Sequence, residues 1–190
     1  MSNFEFVFSL FSLMLGLSLA NVLGGLGDAL QERHKLNVGV LTPLLALLIT
    51  IDIASCWTVA WSLRDRFQPT FFSLLCGLAV TGTYYFISRM VVPRNTAEWP
   101  DFDSYYWGHK RWILGGQIFC DAAAYAAQMA LHENPLGGTL DKVFAIVLFV
   151  GLFAALLVKG KRLNIAMLVG LILLYYLVGA VFQQFHIGEG

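Results

Sequence analysis

The sequence predicts an all-α fold: a polytopic integral membrane protein, built as a bundle of six transmembrane helices. Three observations predict it. The chain of 190 residues is 58% hydrophobic and only 13% charged, where a soluble domain carries about a quarter charged residues. Its mean hydropathy is +0.69. Its apolar runs reach the length of about 20 residues that a bilayer crossing needs. Net charge is zero and no long basic tract is present, which argues against a nucleic-acid partner.

The spans fall at about 4–27, 38–62, 70–92, 112–131, 143–158 and 163–185, in a single membrane domain covering 1–190. In the first, "LSLA" before Asn21 imitates a signal-peptidase site, but Glu5 is the only charge before Asp28. A signal peptide would open with positive charge, so the segment reads as a membrane helix. Ser12, Gly16, Ala20 and Gly24 recur along it every fourth residue. Small residues at that spacing let helix backbones approach closely in lipid. The partner is either another helix of the same chain or the same helix in a second copy. "LGGLG" is not a phosphate loop, because no strand precedes it.

The second span holds Asp52, the only charge between Leu36 and Leu63. The third repeats Ser73, Gly77, Thr81, Tyr85 and Arg89 on a drifting stripe. Arg89 lies one turn from the span's end, where it either snorkels to the headgroups or turns inward to an ion pair. The link 93–111 mixes Trp99, Phe102, Tyr105, Tyr106 and Trp107 with Glu98, Asp101 and Asp103. That mixture reads as an interfacial anchor at headgroup level. Its acids lack calcium-loop spacing.

The fourth span is the most polar. With Asp121 at 0°, Gln117 falls at about −40°, Tyr125 at +40°, Gln128 at −20° and His132 at +20°. Five polar groups thus share an arc of about 80°. Unpaired polar groups are costly in hydrocarbon, so this face is expected to look toward other helices or water. The fifth span is apolar all round and reads as peripheral. The sixth closes the bundle.

Asp52 and Asp121 sit mid-span. An aspartate at the bilayer centre costs about 2.5–3.5 kcal/mol on insertion scales, so it points inward, is paired, and marks an ion or proton path or an interhelical bond. The two are expected to share one polar interior. Cys56, Cys76 and Cys120 lie in apolar runs without ligand spacing and read as small hydrophobes. No metal site and no catalytic constellation is recognisable. His34 and His109 fall near one face, His132 and His186 near the other. Such pairs are a haem arrangement, but at span ends an interfacial role is the simpler reading.

Orientation follows from cations in short loops. One side receives Arg33, Lys35, Arg94, Lys110, Arg111, Lys159, Lys161 and Arg162, and the other Arg64, Arg66 and Lys142. Eight against three makes the first side cytoplasmic and puts both termini outside, with a bacterial inner membrane as the expected setting. The functional expectation is a small channel or carrier for an ion or small solute, self-associating, with no cofactor. Its path or buried polar network would comprise Asp52, Asp121, Gln117, Tyr125, Gln128, His132 and Arg89. A non-catalytic subunit among partner membrane proteins is the second reading, and a haem-binding electron carrier the third.

Overall fold

Six helices form in the computed structural model: α1 (Asn3–Gln31), α2 (Leu41–Ser62), α3 (Phe71–Val91), α4 (Phe102–Ala130), α5 (Thr139–Leu157) and α6 (Lys161–Ile187). The structure describes residues 3–31, 38–94, 98–99, 101–131 and 134–187, with side chains described between 5 and 179. The fold is an all-α membrane bundle. Five of its helices, all but α4, are long and apolar enough to cross a membrane. Large apolar side chains such as Leu13, Phe71, Phe86, Val150 and Tyr176 cover the outside, as lipid contact requires.

α2 packs on α1, α3, α4 and α6, while α5 rests mainly on α4 and α6. The inward faces follow helical spacing. On α2 the buried set is Leu41, Thr42, Leu45, Ala46, Leu48, Ile49, Asp52 and Ile53. On α5 it is Ala145, Leu148, Leu152 and Ala155, a narrow seam that leaves Ile146, Val150 and Phe153 outward. The fifth helix is peripheral, as its uniform apolarity predicts.

α1 turns a face of mostly larger residues inward. Its buried residues are Val7, Leu15, Ser18, Val22 and Ala29, centred about 160° from the small-residue stripe. An added Cβ at Gly16 or Gly24 would meet nothing within 4 Å, and Ala20 is exposed. Ser12 Oγ at the start of the stripe is buried, whereas its two glycines touch no neighbouring helix among the described residues. Close approach occurs elsewhere. A Cβ at Gly25 would lie 3.0 Å from Val92, and one at Gly77 would lie 2.2 Å from the Phe11 ring.

The last part of the link 93–111 is helical. Helix α4 begins at Phe102, ten residues before the predicted span, with Asp101 accepting from the Asp103 N–H at 3.2 Å as N-cap. Phe102, Tyr105 and Tyr106 are buried against neighbouring helices. The segment packs because its polar atoms find partners on other helices. The Tyr105 hydroxyl donates to the Met90 carbonyl at 3.0 Å and that of Tyr106 to Asn164 Oδ1 at 2.8 Å.

Candidate carboxyl centre in the membrane interior

Asp52 occupies the inward seam of α2, one turn beyond Leu48 and Ile49, and is 1% exposed. Two tyrosines complete its shell. Tyr84 of α3 donates to Oδ2 at 2.9 Å, and Tyr175 of α6 donates to Oδ1 at 2.7 Å. Each bond to a charged carboxylate contributes about 1.5–3 kcal/mol. Together they match or exceed the ~2.5–3.5 kcal/mol cost of an aspartate at the bilayer centre. Asp52 is accommodated.

The other half of the centre comes from α4. Asp121 and Gln117, one turn apart on its inward face, bring their side chains close to the Asp52 carboxyl. Gln117 is fully buried and Asp121 is 9% exposed. Yet neither amide atom of Gln117, nor Oδ2 of Asp121, has a hydrogen-bond partner. A buried unsatisfied group costs about 1–3 kcal/mol. Cys120 is satisfied nearby, its thiol donating to the Val80 carbonyl at 3.6 Å. The two carboxyls therefore meet in unequal surroundings, one saturated with donors and one short of them.

The structure divides the remaining predicted residues. Tyr125 is half-buried with its ring 5.8 Å from Phe149 of α5, and Gln128 donates to its own helix at the Ala124 carbonyl. Among the described residues, neither forms a hydrogen bond to either aspartate. Arg89 is exposed near the end of α3, away from the carboxyl pair. His132 lies outside the described residues, as do His34 and the side chain of His186. His109 stacks on Tyr105 at 4.0 Å, its Nδ1 3.0 Å from the Tyr105 carbonyl. Among the described residues, no three potential metal ligands cluster.

Sequence reasoning missed Tyr84 and Tyr175. A faint signal existed. Each belongs to a Tyr-Tyr pair in a span, and each pair places one ring inward and the next about 100° away. Tyr175 is 9% exposed and Tyr176 73%.

A second buried polar cluster lies about 15 Å along the bundle, ten residues back on α2. The Asp103 carboxylate accepts from the Val40 and Leu41 N–H groups at 3.2 and 3.1 Å, and its Oδ2 meets Lys161 Nζ at 2.6 Å. It thereby caps α2, whose own N-cap residue supplies no side-chain bond. Lys110, 3% exposed, donates to the Ala155 carbonyl at 2.8 Å, to that of Val158, and to Asn164 Oδ1 at 3.2 Å. Those carbonyls end α5, where the helix dipole favours a cation. Trp107 offers its ring face 4.6 Å from the ammonium. Burial, with Arg111 beside it, lowers the Lys110 pKa to about 8. Leu48, Ile49, Ile113 and Leu114, all at 0–1% exposure, fill the core beside these clusters.

Fold and centre together define the class: a helical membrane protein with an enclosed carboxyl pair in its interior. No protein-family model, curated protein or solved structure matches the chain.

Proposed function

We propose that the chain is a small membrane carrier in which Asp52 and Asp121 take up and release a proton or a small cation during transport. The observation that supports this is the unequal satisfaction of the pair. Asp52 is held by two tyrosines, while Asp121 Oδ2 and the Gln117 amide have no partner. A pair of adjoining carboxyls can hold one proton between them, and the free amide and carboxyl atoms can coordinate a transient occupant. The centre is closed in this conformation, so access requires helices to move. That favours a carrier over a standing pore. The bacterial inner membrane, the outward termini and self-association through the open face of Gly16, Ala20 and Gly24 belong to the same proposal.

The test is flux in liposomes under an imposed potassium diffusion potential, read with an internal pH dye and, separately, a sodium dye. Wild type should conduct one of the two, and Asp121→Asn should conduct neither while eluting as a folded protein. Unchanged flux in Asp121→Asn would refute the assignment. A second reading, the accessory subunit, draws on the completeness of the Asp52 shell, which serves interhelical bonding equally well. Stoichiometric co-purification with other membrane proteins, and no flux from the isolated chain, would favour it.

A further inference from the structure

The cavity between the ends of α1 and α3 is independent of the carboxyl centre. It encloses about 550 Å³ and is lined by Asn21, Gly24 and Asp28 from α1, and by Ser88, Arg89 and the following Arg94. Its construction is local. Asn21 donates to the Ser88 hydroxyl at 3.4 Å across the two helices. Gly25 brings α1 against Val92. Gly24 leaves its side open, since a Cβ there would meet nothing within 4 Å.

Its charges are of both signs. Arg89, Arg94 and Asp28 are exposed, and among the described residues none has an ion-pair partner. Arg89 stands one turn from the end of a membrane helix and Asp28 one turn from the end of another. These positions lie at headgroup depth in a bilayer. On the same face of α1, toward the middle of the helix, Leu13 and Leu17 are exposed and apolar, a surface suited to acyl chains. The required ligand therefore has a phosphate, an ammonium and a hydrocarbon tail.

We propose that this cavity binds the headgroup of a phosphatidylethanolamine from the surrounding leaflet. Arg89 and Arg94 receive the phosphate, where guanidinium donors match phosphate oxygens in pairs. Asp28 receives the ammonium. A purely anionic lipid leaves Asp28 facing a negative headgroup, and a trimethylated ammonium cannot donate to its carboxylate.

The experiment uses delipidated full-length protein, with lipid retention measured by native mass spectrometry. The probes are phosphatidylethanolamine, phosphatidylcholine and phosphatidylglycerol of matched acyl chains. Wild type should retain phosphatidylethanolamine about two- to fivefold better than either of the others, the range that one to two exposed ion pairs supply. Asp28→Asn should erase the preference over phosphatidylglycerol. Arg89→Gln with Arg94→Gln should weaken retention of all three, and Arg94→Gln alone, outside the helices, should do so in part without touching helix packing. Equal retention of the three lipids by wild type, or tightest retention of phosphatidylglycerol, would overturn the proposal. So would displacement of the lipid by free O-phosphoethanolamine at equal concentration, which would assign the cavity to a soluble ligand instead.

Discussion

The chain buries two clusters of charged and polar side chains, and they are built on opposite terms. In the one around Asp103 and Lys110, every group meets its complement: carboxylate with helix N–H groups and an ammonium, ammonium with carbonyls at a helix C-terminus. In the one around Asp52 and Asp121, two acids adjoin with no cation, and three polar atoms have no partner. Saturation of the first serves the fold, since removing any member strands another in a poorly solvated place. Incompleteness in the second is a standing cost that packing alone does not explain. Such groups persist where function uses them. Helix termini supply the contrast. They offer backbone dipoles and unpaired N–H and C=O groups, whereas the middle of a helix has none to give.

Variants can break this comparison, and the largest expected effect is at the saturated end. Asp103→Ala strips the cap from α2 and the partner from Lys161. It should lower stability by about 2–4 kcal/mol, the sum of a lost cap and a stranded buried donor, read as a clear drop in melting temperature in detergent. A melting temperature equal to wild type would show that the cluster is decorative.

At the acidic centre the informative quantity is the sign. Asp121→Leu replaces an unsatisfied acid by an apolar group, and we expect stability unchanged or raised by about 1 kcal/mol, with flux lost. Destabilisation by Leu but not by Asn would place Asp121 with the structural groups and collapse the distinction. Tyr175→Phe should destabilise the fold, though less than Asp103→Ala. It removes one of two donors to Asp52 and should cost about 1.5–3 kcal/mol if the carboxylate is charged. Tyr84→Phe should match it, so a large inequality between them would show that one tyrosine serves another acid.

The smallest effect is a pH slope at Lys110. Its folded pKa of about 8 lies below the ordinary 10.5, so the folded state binds fewer protons than the unfolded chain between those values. Stability contributed here should therefore rise from pH 8 to 10.5 and be lowest below 8. Melting curves across that window should show the slope in wild type and not in Lys110→Met. A falling curve in wild type relative to the variant would contradict the assigned direction.

Much of this architecture is legible in the sequence, for identifiable reasons. Apolar runs of bilayer length announce the helices, and a lone charge such as Asp52 in the middle of one announces an inward face. What is not legible is pairing at long range. Asp103 and Lys110 look like loop charges because their partners, Val40, Leu41, Ala155 and Asn164, lie 45 to 63 residues away. That is why the start of α4 is read ten residues late. Tyr84 and Tyr175 escape notice because a tyrosine suits a lipid interface and a buried carboxyl alike. Along the polar arc of α4, Gln117 and Asp121 adjoin Asp52 of α2, while Tyr125 stands against Phe149 and Gln128 bonds its own helix.

The sequence separations within the acidic centre also impose an order on synthesis. Tyr84 follows Asp52 by 32 residues, but Tyr175 follows it by 123. A ribosome feeding this chain into the bilayer delivers the acid early and its second donor with the last helix. Until then Asp52 is held in lipid by an unfinished shell, and the nascent bundle has reason to stay with the insertion machinery. The final helix completes that shell. Stalled chains ending before Tyr175 should remain crosslinkable to the insertase through a probe at Asp52, and chains extending beyond it should not.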